Sequence, residues 1–369
     1  MLSDVEMKRL NENVVSIYQE MELDMLNKLG TFLNRNDKIG GTAKWYIKKL
    51  EEISNLNGDL VKTVSQYTSK TEEAIRSMLE EACIANFSSS HKENEISLSK
   101  LKENFYVQEQ IDYFANDVGR NLSKIRTNTI NATKEEYLRI VDKATLETSS
   151  GVKSFSESIT DSLKELAEKG ISGQKYERSN GDVVEYSAEG LVRRDTITAV
   201  FNIANKCFVD QAKTLGIEYV YVSQHLGART SDKSKIANHA GWQGKIYKLN
   251  GSDEKYGNLV EETGYGDIEG LGGVNCRHRI SAATEDMKLP DRIDEEKNAE
   301  MEKIFKRQRA MERILRSWKR KMALMKASGN EEEYKKAKIK VEEWSSALDK
   351  YTKENNIRRD FSREREMHQ

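Results

Sequence analysis

A single proline, Pro290, stands in 369 residues, so this chain has almost nothing in it that removes a helical N–H and breaks a helix. Cysteine is scarce as well. Cys83, Cys207 and Cys276 are odd in number and far apart along the chain, which argues against a disulfide framework and for a reducing compartment. No apolar run comes near the ~18 residues that a membrane span needs. The opening MLSDVEMKRLNENVV holds no apolar stretch of signal-peptide type. The expectation is neither a signal peptide nor a transmembrane helix. Net charge is nearly absent too, with 60 Lys and Arg against 61 Asp and Glu, so the overall balance names no partner.

Charge of both signs is abundant: 33% of residues are charged and only 37% hydrophobic. Together with the missing prolines, this suits long solvated helices better than a loop-rich enzyme. The length allows two or three domains. Residues 1–169 read as successive helices. Ser3 and Glu6 form a capping-box pattern ahead of an apolar stripe at Leu10, Val14, Ile17, Tyr18, Met21 and Met25. Further stripes run through Trp45-Tyr46-Leu50-Ile53 and from Leu101 to Tyr113. Frequent Ser, Thr and Asn suggest thin, extended packing here rather than a globular core.

Near Gly170 the texture changes. Gly170, Gly173 and Gly181 interrupt the helical pattern, and DVVEYSAEGLV alternates like a short strand with a turn. A helix is expected from Asp195 to about Leu215, then a strand in IEYVYVSQH and another in GKIYKLNGS, ending in an Asn250-Gly251 turn. Residues 170–289 therefore read as a small α+β domain. From 290 to 369 the chain is helical again. Met301, Ile304, Gln308, Met311, Leu315, Trp318, Met322 and Met325 follow 3-4 spacing. Gly329 stops this helix, and Asn330 with Glu333 starts the next, giving a helical hairpin or coiled-coil arm. The expected fold class is α+β: a long helical N-terminal region, a small α+β domain and this arm. Lys306, Arg309, Arg313, Arg316 and Arg320 share one helical face, a stripe suited to phosphates or an acidic partner surface.

The segment GLGGVNCRHRI, Gly270 to Ile280, concentrates the remaining chemistry. As a phosphate cradle it fails, because neither the G-x-x-x-x-G-K-[ST] pattern nor G-x-G-x-x-G is present. As a metal site it does better. His225, His239 and His278 fall in the same small domain as Cys276, and in an extended segment Cys276 and His278 point to the same side. These four could converge as Cys-His-His-His ligands for zinc, whose tetrahedral sites accept N and S donors. A thiol enzyme is the third reading, with Cys276 as nucleophile, His278 or His225 as base and Asn275 as an oxyanion donor. The alternative for all of them is ordinary structure: loop-capping histidines around a small buried cysteine.

In order, VSQHLGAR, NHAGWQGKIY and ETGYGDIEGLGGVNCRH resemble the signature of the tailed-phage minor capsid protein 2 family. KRQRAMERILRSWKRK is similar to that family's C-terminal helix. The resemblance also extends in layout to Mu F-like head morphogenesis proteins, which close a comparable domain with an Asn-Cys-Arg-Cys block. The family-like positions are His225, Arg229, Trp242, Gln243, Gly244, Gly266, Gly270, Asn275, Cys276, Arg277 and His278. Many relatives have a cysteine before the tryptophan, and here His239 stands near that place. Such an exchange keeps a zinc ligand and destroys a thiol pair.

The resemblance implies a non-enzymatic structural protein of the virion, assembled in the host cytoplasm into the phage head near the portal. Its implied partners are portal and capsid or scaffold proteins, with packaged DNA and self-association through the helices as further contacts. Two other readings stay open: a catalytic or toxin-like domain ejected with the DNA, and a DNA-binding virion module.

Overall fold

The computed structural model describes residues 4–34, 41–90, 105–177, 181–232 and 234–364. The expected capping residue Ser3 and the start of the stripe at Leu101 lie outside them. The described residues form helices α1 (Asp4–Leu10), α2 (Glu12–Asn34), α3 (Thr42–Ser90), α4 (Phe105–Ser149) and α5 (Phe155–Lys169). Strands β1 (Ser172–Glu177) and β2 (Val183–Ser187) follow, then α6 (Ala188–Thr214), β3 (Tyr219–Val222) and α7 (His239–Trp242). Next come β4 (Ile246–Lys248), α8 (Leu259–Thr263) and β5 (Ile280–Ala283), and finally α9 (Glu295–Ala327) and α10 (Glu331–Glu354). The fold is a mostly helical α+β one. Among the described residues no helix is long and apolar enough to cross a membrane.

The chain condenses into two units, one of residues 1–14, 72–121 and 193–307, the other of residues 15–71, 122–192 and 308–369. They do not follow the consecutive segments 1–169, 170–289 and 290–369. The reason is helix length. At about 1.5 Å per residue, a helix of 49 residues such as α3 extends beyond any one small core, so its two ends serve different ones.

In the first unit, β3 is the central strand of an antiparallel sheet ordered β4-β3-β5. Val220 pairs with Tyr247 on one side and Ala282 on the other. Val220 and Val222 alternate inward, as a β-branched strand covered on one face should. They share a core with Phe208, Val209 and Ala212 of α6 and with Trp242, Leu271 and Cys276. α6 begins at Ala188, earlier than Asp195, so the AEGLV end of the expected strand DVVEYSAEGLV is helical. Only Val183–Ser187 pairs as a strand, with β1.

Cys83 of α3 and Cys207 of α6 are remote in sequence, yet their buried thiols lie 2.8 Å apart. Separation along the chain says nothing about separation across two packed helices. Oxidation of the folded chain is expected to yield one disulfide, Cys83–Cys207, with Cys276 left as a thiol. Peptide mapping under non-reducing conditions checks this.

The second unit corrects the expectation of thin packing. Leu26, Leu29 and Leu33 of α2 and Leu56 and Leu60 of α3 are fully buried, and the Trp45 ring lies 4.2 Å from that of Phe155. The serines and threonines misled because many satisfy themselves. Thr63, Thr71, Thr129 and Thr133 each donate to the carbonyl four residues earlier, at 2.6 to 2.9 Å. A hydroxyl bonded within its own helix can enter a core without a partner elsewhere.

α5 carries a full capping box, Ser154 with Glu157, and α10 starts at Asn330, whose side chain accepts the Glu333 N–H, as its sequence predicts. The hairpin of α9 and α10 is docked rather than a free arm. A Cβ on Gly30 of α2 would lie 3.2 Å from that of Ala327, Asn330 donates to Thr160, and Lys164 pairs with Glu333 at 3.0 Å.

Candidate metal centre

The glycine-rich loop after α8 folds upon itself. The N–H groups of Gly266, Gly270, Leu271, Gly273, Val274 and Cys276 all donate to carbonyls between Thr263 and Leu271 or at Gly273. A phosphate cradle needs such groups turned outward, and here they are consumed. The loop ends in Asn275, at φ 60°, and delivers Cys276 and His278 to the core.

α6 holds that delivery in place with a polar stripe at 4-3 spacing. Thr198 Oγ1 accepts the Asn275 N–H at 3.1 Å, and Asn202 abuts Gly272. Asn205, fully buried, donates to the His278 carbonyl and accepts the Ile280 N–H, both at 2.9 Å, so its amide acts as a strand partner at the start of β5. The helix expected from Asp195 to about Leu215 includes these positions without singling out the stripe. A repeat of Thr, Asn and Asn on a helix that is otherwise buried was the available signal.

His239 opens α7. Its ring packs 4.5 Å from that of Trp242, one turn later, whose indole N–H donates to the Ile236 carbonyl. Arg229 ties the pieces together, donating to the Val274 carbonyl at 2.8 Å while its own carbonyl accepts the Ala240 N–H. In this way His239, Cys276 and His278, all buried, bring one donor atom each within 4.8 Å of one another. Cys276 Sγ lies 3.5 Å from His278 Nδ1.

Two hydrogen bonds fix the imidazole tautomers. His239 Nε2 lies 2.8 Å from the Glu269 carbonyl, which can only accept. His278 Nε2 lies 3.0 Å from Gln243 Oε1, an oxygen that also accepts the His225 N–H. Both Nε2 atoms therefore carry the hydrogen, and both Nδ1 atoms are left with a lone pair. Burial is the main force holding the His239 imidazole down, to about 4, and it holds His278 well below the ordinary value too. Burial likewise pushes the Cys276 thiol up.

His225 is placed differently from expectation. Its ring stacks on His278, centroids 4.5 Å apart and planes 24° apart, and its Nδ1 faces the Leu226 carbonyl. It does not join the three converging donors. Nor does the site resemble an activated thiol: Cys276 is 1% exposed, its sulfur is driven toward the neutral form, and the Asn275 N–H is already engaged. Of the other family-like positions, Gly244 has φ 70° and lies against Gln224, and Gly266 has φ 98°; Arg277 is half-buried beside the donors.

The basic stripe of α9 is only partly a surface. Lys306 pairs with Glu302 at 2.8 Å and Arg313 is exposed, while Arg309 is half-buried. Arg316 and Arg320 turn into the second unit. Arg316 pairs with Glu189 at 3.5 Å and donates to the Arg363 carbonyl, and Arg320 donates to the Ala167 carbonyl at 2.9 Å. Spacing defines the helical face, but the neighbours decide where that face is covered. Arg316→Glu would set a second buried carboxylate beside Glu189, and a loss of about 3–5 kcal/mol is expected, read as a lowered urea midpoint.

The chain belongs to the phage minor capsid protein 2 family, which it matches over residues 2–353. It is also similar to a "Structural protein" of Lactococcus phage LL-H, 20% identical over 338 residues, 87% of this chain and 88% of the relative. No solved structure matches it. A structural role in a phage follows from the family.

Proposed function

We propose that the protein is a head component of a tailed phage, working near the portal during procapsid assembly and contacting portal and capsid or scaffold subunits. The observation that carries the reading is that the family match runs through both units rather than through one module. The whole scaffold, long helices included, is thus the functional object. Supporting it, α3, α4 and α9 are helices of 49, 45 and 33 residues, long enough to present extended faces to neighbours. The ejected-enzyme reading loses ground because Cys276 and His278 are shut into the core. The DNA-module reading loses Arg316 and Arg320 to internal carboxylate and carbonyl partners.

The test is a phage in which this gene is deleted. Heads with reduced DNA content or failed maturation by electron microscopy are expected, together with cross-links to the portal in wild-type procapsids. Normal, fully packaged heads would overturn the proposal. Filter binding to duplex DNA adds a second readout: steep salt dependence, lost on charge reversal at Lys306, Arg309 and Arg313, would shift the assignment to the DNA module.

A further inference from the structure

We propose that His239 Nδ1, Cys276 Sγ and His278 Nδ1 hold one zinc ion, which clamps α7 to the Cys276–His278 segment. The geometry fits a metal closely. Two donors bound at about 2.0 and 2.3 Å and a tetrahedral angle lie roughly 3.5 Å apart, and Cys276 Sγ and His278 Nδ1 are separated by 3.5 Å. The remaining edges of the donor triangle are at most 4.8 Å, so a closure of no more than about 1.5 Å brings all three to one centre.

The second observation is independent of those distances. Metal-binding imidazoles commonly donate their other N–H to a carbonyl or carboxylate, which orients the ring and sets the tautomer. Both histidines do this, His239 to the Glu269 carbonyl and His278 to Gln243 Oε1. In His278 the nitrogen left with a lone pair, Nδ1, is the one that faces Cys276 Sγ, and in His239 the bond to Glu269 leaves the lone pair on Nδ1.

The donor set selects the metal. One thiolate and two imidazoles suit a borderline-soft ion and leave out magnesium and calcium, which take oxygen donors. Binding forms a sulfur–zinc bond, and the thiol proton passes to solvent. No electron is transferred. The role is structural because the three ligands come from two different segments and lie in the interior, with Cys276 part of the core that backs the β4-β3-β5 sheet. Stacked flat against His278, His225 supports a ligand ring and stands outside the ligand set.

The test uses the full-length protein expressed in zinc-supplemented medium. One equivalent of zinc by elemental analysis is expected. After chelation, cobalt(II) should give a thiolate-to-metal charge-transfer band. Cys276→Ser should abolish that band, and both Cys276→Ser and His239→Gln should cut bound zinc at least tenfold. Cys83→Ala and His225→Ala should each keep one equivalent. Loss of the metal in Cys83→Ala would assign it to the other thiol pair, and loss in His225→Ala would overturn the three-ligand assignment.

Where a ligand variant does not fold, the wild type decides. Removing zinc should lower its melting temperature by roughly 5 °C, and re-adding zinc should restore it. A folded wild type that carries no zinc and does not shift when zinc is added would overturn the site. None of these readouts depends on a place in the virion, so the clamp and the assembly role can fail separately.

Discussion

Gly270→Ala is expected to cost about 3 kcal/mol or more, through collision rather than torsion. A Cβ there would stand 2.2 Å from the Gly264 carbonyl oxygen and 2.7 Å from that of Thr263. Both obstacles are backbone, and both belong to the self-bonded loop that carries Cys276, so neither can swing away as a long side chain would. Relief requires opening the loop, which breaks the Leu271-to-Thr263 and Gly270-to-Asp267 hydrogen bonds. The expected readouts are a lowered melting temperature and protease cleavage between Thr263 and Cys276 under conditions where the wild type resists. Gly58→Ala is the contrast. Gly58 lies within α3, and nothing stands within 4 Å of where its Cβ would be. There the same substitution is expected to raise stability by about 0.5–1 kcal/mol, because alanine gives up less conformational freedom than glycine on entering a helix. If both variants shift stability in the same direction, the close approach at Gly270 is refuted.

Lys49→Met is expected to destabilise the second unit by about 3–5 kcal/mol. Lys49 is completely buried, donates to the Phe32 carbonyl at 2.6 Å and pairs with Glu52 at 3.3 Å. Its backbone carbonyl also receives the Tyr137 hydroxyl, at 3.0 Å. Methionine restores most of the volume and none of the charge, so the dominant loss is the carboxylate of Glu52 left inside without its ammonium. Adding Glu52→Leu removes that stranded charge and should recover at least half of the loss. The Phe32 carbonyl still lacks its donor, and so recovery stops short of wild type. Urea unfolding followed by circular dichroism gives the comparison, with midpoints moving and slopes unchanged. A double variant no better than the single one would show that Glu52 is not what Lys49 neutralises.

Much of the local structure could be read directly. The Asn330 cap, the Gly329 stop, the strand at Tyr219–Val222 and the helical start of the chain rest on signals held within a few residues. The grouping of His239, Cys276 and His278 was also legible, because a chain with so few histidines and cysteines offers few combinations. His225 was misplaced since sequence gives proximity to the best strand but not the angle of a ring. The buried ends of the basic stripe and the Cys83–Cys207 contact were invisible for a related reason. Each depends on which helix lies alongside, and periodicity describes one helix at a time.

Local pattern and side-chain chemistry were enough for the helical character, the α+β element types, the family resemblance and the short set of His and Cys side chains in one domain. Only the tertiary structure decided that long helices divide between two cores, that Arg316 and Arg320 are interior, and that His239, Cys276 and His278 converge while His225 stacks. Those outcomes depend on contacts between residues tens to hundreds of positions apart, where burial and partner geometry outweigh local propensity.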